Sequence, residues 1–140
     1  MTPFSLLSGA AGLSHREASV FLSVQIDTVK SWSCGRNRCP QGALDEMKAL
    51  IHCQSAAAEE HLKTIKNITR KADAVQAVEL GYPADDHEAQ TLGWPCVGAW
   101  RGMAARVLAA STIPITLVPR GSTPATAAAI DAHAHLDRRG

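Results

Sequence analysis

At 140 residues, 46% hydrophobic and 19% charged, the chain has enough apolar material for one folded domain, or for a small module followed by a second. No run approaches the roughly 20 apolar residues that a membrane helix requires, and Met1-Thr2-Pro3 shows neither the basic start nor the apolar block of a signal peptide. A cytoplasmic protein is expected, and Cys34, Cys39, Cys53 and Cys96 give no reason to expect disulfides. The formal charge is only +1, but residues 1–71 carry nine Lys/Arg against six Asp/Glu, while residues 72–118 carry two against five. The N-terminal half is therefore the part suited to a polyanion, and the acidic middle segment should face away from one.

Pro3 after Thr2 suits the first turn of a helix, and Phe4, Leu7 and Ala11 repeat at helical spacing until Gly12 ends it. Ser14-His15-Arg16-Glu17 is a capping box, Ser14 accepting from the third helical amide while Glu17 reaches back, and it predicts a second helix running to about Leu22. Ser23 and Val24 make a turn. A third helix from about Gln25 should place Val29 and Trp32 on its buried face and Gln25, Ile26, Asp27, Lys30 and Ser31 on the other. Ala18, Leu22, Val24, Val29 and Trp32 would lock the two helices together, leaving outward the short polar side chains that an edge reader in a major groove needs. The segment Ser33 to Cys39 reads as a loop in which Arg36 and Arg38 can reach phosphates. Pro40 then opens another helix.

From Gln41 the set Leu44, Met47, Ile51, Ala58, Leu62, Ile65 and Ile68 keeps helical spacing, with no Gly or Pro between Gly42 and Gly81. The pattern predicts one long helix, or two with a break near residues 54–57. Its second half has more apolar surface than a small reader can cover, so it requires either the C-terminal segment or a second subunit. Val75, Ala77, Val78 and Leu80 before Gly81 read as a short strand, and the acidic stretch 83–93 as a surface connection with room for a helical turn. Pro95 begins a helix with Val97, Trp100, Ala104, Val107 and Leu108 on one face. Ile113, Ile115 and Leu117 alternate in a final strand whose Pro114 points to a sheet edge. The tail, residues 119–140, has few large apolar residues and is expected to be disordered.

Leu13, Ser14, residues 16–18, Leu22, Val24, Thr28-Val29, Trp32, Gly35-Arg36 and Pro40 stand at the relative spacing of a phage-repressor helix-turn-helix, and the stretch resembles the Xre/Cro family of transcriptional regulators. Two positions depart from that family's pattern. Ser23 stands where the turn has Gly, which places a side chain at positive φ at a cost of about 1 kcal/mol. Gln25 stands where Ser or Thr supplies the N-cap and its phosphate contact. A looser resemblance in outline covers residues 1–118 and is to the subgroup with a C-terminal α/β dimerisation module, which includes anti-CRISPR-associated repressors.

The fold implied is mainly α: a lambda-repressor-like helix-turn-helix bundle over residues 1–55, then a long helix leading to a small α/β dimerisation module over 56–118. The function implied is a sequence-specific DNA-binding repressor, a homodimer on an inverted-repeat operator, in the role of an autorepressor of an anti-CRISPR or phage operon. Gln25, Ile26, Asp27, Lys30 and Ser31 would read bases, and His15, Arg16, Arg36 and Arg38 would contact phosphates. Leu62, Ile65, Trp100, Val107 and Ile115 would form the dimer interface. The alternative is an antitoxin-like module that binds a toxin or other protein partner through its C-terminal part and regulates its own promoter.

Catalysis is not expected, since the chain has no Gly-rich phosphate loop and no HExxH, and no cofactor is expected. Cys34, Cys39, His52 and Cys53 lack the paired spacing of a structural zinc site. His133 and His135, in a polar terminal stretch, read as solvated side chains rather than metal ligands. Trp32 reads as core rather than a base-stacking group.

Overall fold

The first helices are closed at their ends by their own flanking residues. In a computed structural model, which describes residues 1–71 and 77–121, α1 spans Pro3–Ala11, α2 His15–Leu22 and α3 Ile26–Cys34. The Thr2 hydroxyl accepts from the Ser5 amide, and Ser5 returns the bond to the Thr2 carbonyl end. At the far end Gly12 takes φ 78°, with Gly12 N–H donating to Gly9 and Leu13 N–H to Ser8. That double bond closes the last turn and reverses the chain. The box at α2 forms as its sequence predicts, Ser14 N–H donating to Glu17 and Glu17 N–H to Ser14 at 3.0 and 3.1 Å. Ser23 ends α2 in the left-handed region, φ 56°, the one non-glycine residue so placed among those described.

Helix α4 is a single rod, Gln41–Lys71, about 46 Å long at 1.5 Å per residue. Met47, Leu50, Gln54, Ala58, His61 and Ile65 are its buried stripe, three and four residues apart as one helix face requires. The chain then forms β1 (Val78–Tyr82), α5 (Asp86–Thr91), α6 (Val97–Ala110) and β2 (Ile115–Pro119). The strands pair in parallel, Val78 opposite Ile115 through to Tyr82 opposite Pro119. The fold is thus mainly helical with a small sheet. Among the described residues no helix is long and apolar enough to cross a membrane. Val75, His133, His135 and the stretch 122–140 expected to be disordered lie outside the described residues.

One hydrophobic core runs from Phe4 through Trp32, Met47 and Ile65 to Trp100 and Val107. α6 is buried on most of its circumference and lies against both α4 and α1. Its glycines make that possible. A methyl group on Gly98 would come within 2.6 Å of the Gly12 carbonyl oxygen, and one on Gly102 within 2.5 Å of the Ala11 carbonyl oxygen. Into the same junction α4 sends Gln54, fully buried, whose amide donates to the Ala11 and Ala99 carbonyls at 2.8 and 2.9 Å. Arg106 adds a bond to the Ala10 carbonyl at 3.1 Å. The Ala10 and Ala11 carbonyls at the end of α1, which have no partner within the helix, are satisfied by side chains from α6 and α4.

This arrangement corrects the expected dimer interface. Ile65, Trp100 and Val107 are 4%, 4% and 0% exposed within a single chain, so the apolar surface of α4's second half is covered by the chain's own α6. Leu62 and Ile115 are half-buried. Leu108, expected on the packed face of α6, is instead outward. The boundary expected at residue 55 falls in the middle of α4, with core residues on both sides of it.

Candidate nucleic-acid interface

The α2–α3 pair is held from behind, and its outer side is open. Val29 and Trp32 are the buried face of α3, and the Trp32 ring meets Phe4 of α1 edge to face with centroids 5.5 Å apart. The Thr2 hydroxyl donates to the Trp32 carbonyl at 3.0 Å, tying the start of α1 to the end of α3. With α3 so anchored, Ile26, Asp27 and Lys30 share the exposed face, and Cys34 continues that row one turn further on. Gln25 precedes it in extended backbone, φ −71° and ψ 151°, and makes no capping bond with its side chain. Its amide is exposed and unengaged, while Asp27 supplies the negative charge that the first turn's dipole favours.

Ser31 does not belong with this row. It is 5% exposed, on the Thr28 and Trp32 side of the helix, and its hydroxyl has no hydrogen-bond partner. Ser31, expected on the outward face, lies instead within a buried arc wider than Val29 and Trp32 alone suggest.

His15 and Arg16 lie exposed in the first turn of α2, and Arg36 and Arg38 lie exposed in the loop beyond α3. Among the described residues the ion pairs are Lys63–Glu60 and Arg120–Glu88, both remote from this surface. Among the described residues Arg16, Lys30, Arg36 and Arg38 make no ion pair, and against the one carboxylate of the outward row, Asp27, they leave its surroundings net positive. The Arg36 backbone N–H and then its guanidinium hold the exposed Cys34 thiol below its ordinary range.

Glu17 decides how the pair sits on the rest of the molecule. Besides closing the box at Ser14, its second oxygen accepts the Gly98 N–H at 2.8 Å, from 81 residues away. Asp86 accepts the neighbouring Val97 N–H at 2.9 Å. The free amides that open α6 are thus capped by carboxylates from α2 and α5 rather than by its own N-cap, Cys96, which makes no side-chain bond. Burial raises the Glu17 pKa, but donors from Ser14, Gly98 and Cys96 outweigh it and leave the carboxyl below its ordinary value. Burial, with the nearby Glu17 and Asp86 charges, pushes the Cys96 thiol up to about 11. The sequence shows the Ser14–Glu17 box but not the second partner. Its one trace is the Gly98-x-x-x-Gly102 spacing, which marks a helix face that another backbone can approach closely.

Among the described residues no group of three or more His, Cys, Asp or Glu is placed to hold a metal ion. No family model and no curated protein matches this chain.

Proposed function

We propose that this chain is a sequence-specific DNA-binding repressor of the Xre/Cro helix-turn-helix type, acting as a homodimer on an inverted repeat. The reading carries with it a cytoplasmic location and a C-terminal part that joins two copies. The single observation that supports it most is the outward face of α3: Ile26, Asp27 and Lys30 in one exposed row with the free amide of Gln25 before it, flanked by the unpaired cations Arg16, Arg36 and Arg38. A helix entering a major groove needs short polar groups on its exposed row and cations beyond both ends, where the phosphate ridges pass. Gln25 can pair with adenine N6 and N7, and Lys30 can donate to guanine O6 and N7, each good pair giving about 1 to 3 kcal/mol of discrimination.

Selection of sites from a random DNA pool, followed by mobility shifts over a salt series, tests the reading. Wild type should recover an inverted repeat and lose affinity steeply as salt rises. Gln25→Ala should relax one position in each half-site, while Arg36→Ala and Arg38→Ala should weaken binding with the preference order intact. Recovery of no common sequence would refute the proposal.

A further inference from the structure

A cleft of about 370 Å³ opens between the start of α1, the loop that follows α3 and the first turn of α4. That volume lies in the range that holds small organic molecules, about 300 to 1,000 Å³. The floor is apolar, made by the edge-to-face rings of Phe4 and Trp32 with Pro3 and Leu44 beside them. Phe4 and Trp32 are almost fully buried, so the packed core holds the floor in place. At one edge the Thr2 hydroxyl is already engaged, donating to the Trp32 and Ser33 carbonyls.

Two polar residues stand on the rim with hydrogen-bonding capacity unused. Asn37 is held by its backbone N–H, which donates to the Ser31 carbonyl at 3.4 Å, while its side-chain amide makes no hydrogen bond among the described residues. Arg38 beside it is exposed and makes no ion pair among the described residues. Burial pushes the half-buried Cys39 thiol up, so it stays neutral at pH 7. Of the nine residues lining the cleft, Arg38 is therefore the one that carries charge. A neutral apolar molecule would leave that cation unused, and a polyanion has no apolar body to set against the floor. An aromatic ring bearing one carboxylate answers both halves: the ring packs at an offset or edge-on against Phe4 and Trp32, and the carboxylate meets the planar fork of Arg38.

We propose that this cleft is an effector site for a small aromatic carboxylic acid, and that its occupation weakens DNA binding. The second half of the proposal rests on the repressor reading, in which Arg38 contacts phosphate. A carboxylate on the Arg38 guanidinium takes the donors that a DNA phosphate would otherwise accept from. Such coupling is reciprocal, so bound DNA lowers affinity for the acid by the same factor.

Isothermal titration calorimetry of the full chain with indole-3-acetate, and with the uncharged indole-3-acetamide of the same shape, tests the site without DNA. The acid should bind once per chain. The amide to wild type, and the acid to Arg38→Gln, should each bind about 3- to 10-fold more weakly, with the circular dichroism spectrum of the variant unchanged. The acid should also slow alkylation of Cys39, which lines the cleft, and leave that of Cys34, which does not, as it was. Absence of binding, equal affinity for acid and amide, or an unprotected Cys39 would overturn the site. Mobility shifts on the inverted repeat recovered by selection then read the coupling: saturating acid should lower the DNA affinity of wild type and leave that of Arg38→Gln unchanged. Acid that protects Cys39 without altering the DNA affinity of wild type would remove Arg38 from the phosphate contacts and overturn the effector role, with the binding site standing. A chain that binds the acid and no DNA sequence would overturn the repressor reading and the effector role together.

Discussion

Gly102→Ala separates two effects of opposite sign. In a helix interior alanine is favoured over glycine by about 1 kcal/mol, so on propensity alone the substitution stabilises α6. In this fold the added methyl would press against the Gln54 amide and within 2.5 Å of the Ala11 carbonyl oxygen. Part of that obstacle is backbone, which cannot rotate out of the way. Forcing a methyl group into a packed contact costs about 1 to 3 kcal/mol. If Gln54 is displaced, the Ala11 carbonyl loses its bond at 2.8 Å, and a buried acceptor left without a donor costs about 1 to 3 kcal/mol more. The net expectation is a loss of about 1 to 5 kcal/mol, which at roughly 3 to 4 °C per kcal/mol for a chain of this size lowers the melting temperature by about 3 to 20 °C. Differential scanning calorimetry with a matched urea titration reads it directly. An unchanged or raised melting temperature would refute the close approach of α6 to α1, and with it the account of how the α2–α3 pair is seated.

Trp32→Ala should cost about 3 to 5 kcal/mol through the cavity left against Phe4, and urea unfolding should show it even where DNA is absent; an unaltered midpoint would make Trp32 a surface contact. Glu17 is held below its ordinary pKa in the folded chain, so its contribution is present above the unfolded value near 4.5 and fades as pH falls through the folded value. The stability difference between wild type and Glu17→Gln should accordingly be constant from pH 7 to about 5 and shrink on acidification below about 4.5; a difference that grows there would reverse the sign. Thiol labelling at pH 8 should modify Cys34 first and Cys96 last, given an exposed thiol with a lowered pKa and a buried one near 11.

The parts of the fold that were legible in the sequence are those fixed by neighbours in the chain. Pro3, Gly12, the Ser14–Glu17 box and the left-handed Ser23 act within four or five residues of themselves, and helices α1 and α2 end where they dictate, whereas α3 continues through Ser33 and Cys34, expected in the loop, to its cap at Gly35. The alternation of Ile113, Ile115 and Leu117 marks a strand, found over Ile115–Pro119, and Pro114 beside it marks an edge, for the same reason. What the sequence hid is held by contacts across long separations. Gln54 reads as one polar break in an apolar stripe, and nothing local says that it bonds the ends of α1 and α6 at once. Ile65, Trp100 and Val107 look alike whether an apolar face meets its own chain or another, because periodicity records that a face is buried and not by what. Ser31 reads as outward because its helix is packed over a wider arc than its two large residues announce.

The unbroken course of α4 sets which changes in length this architecture can absorb. One residue inserted near Ala56 would turn everything beyond it by about 100° and advance it by about 1.5 Å, carrying His61 and Ile65 off the face that α6 covers. Gln54 and Ile65 would no longer share one side of the rod, and no side-chain substitution restores that phase. Length can vary in the loop 36–39, where Arg36, Asn37 and Arg38 are exposed and no helix register is carried onward. Between Gln41 and Lys71 the residue count is itself part of the structure, a constraint visible in no single side chain.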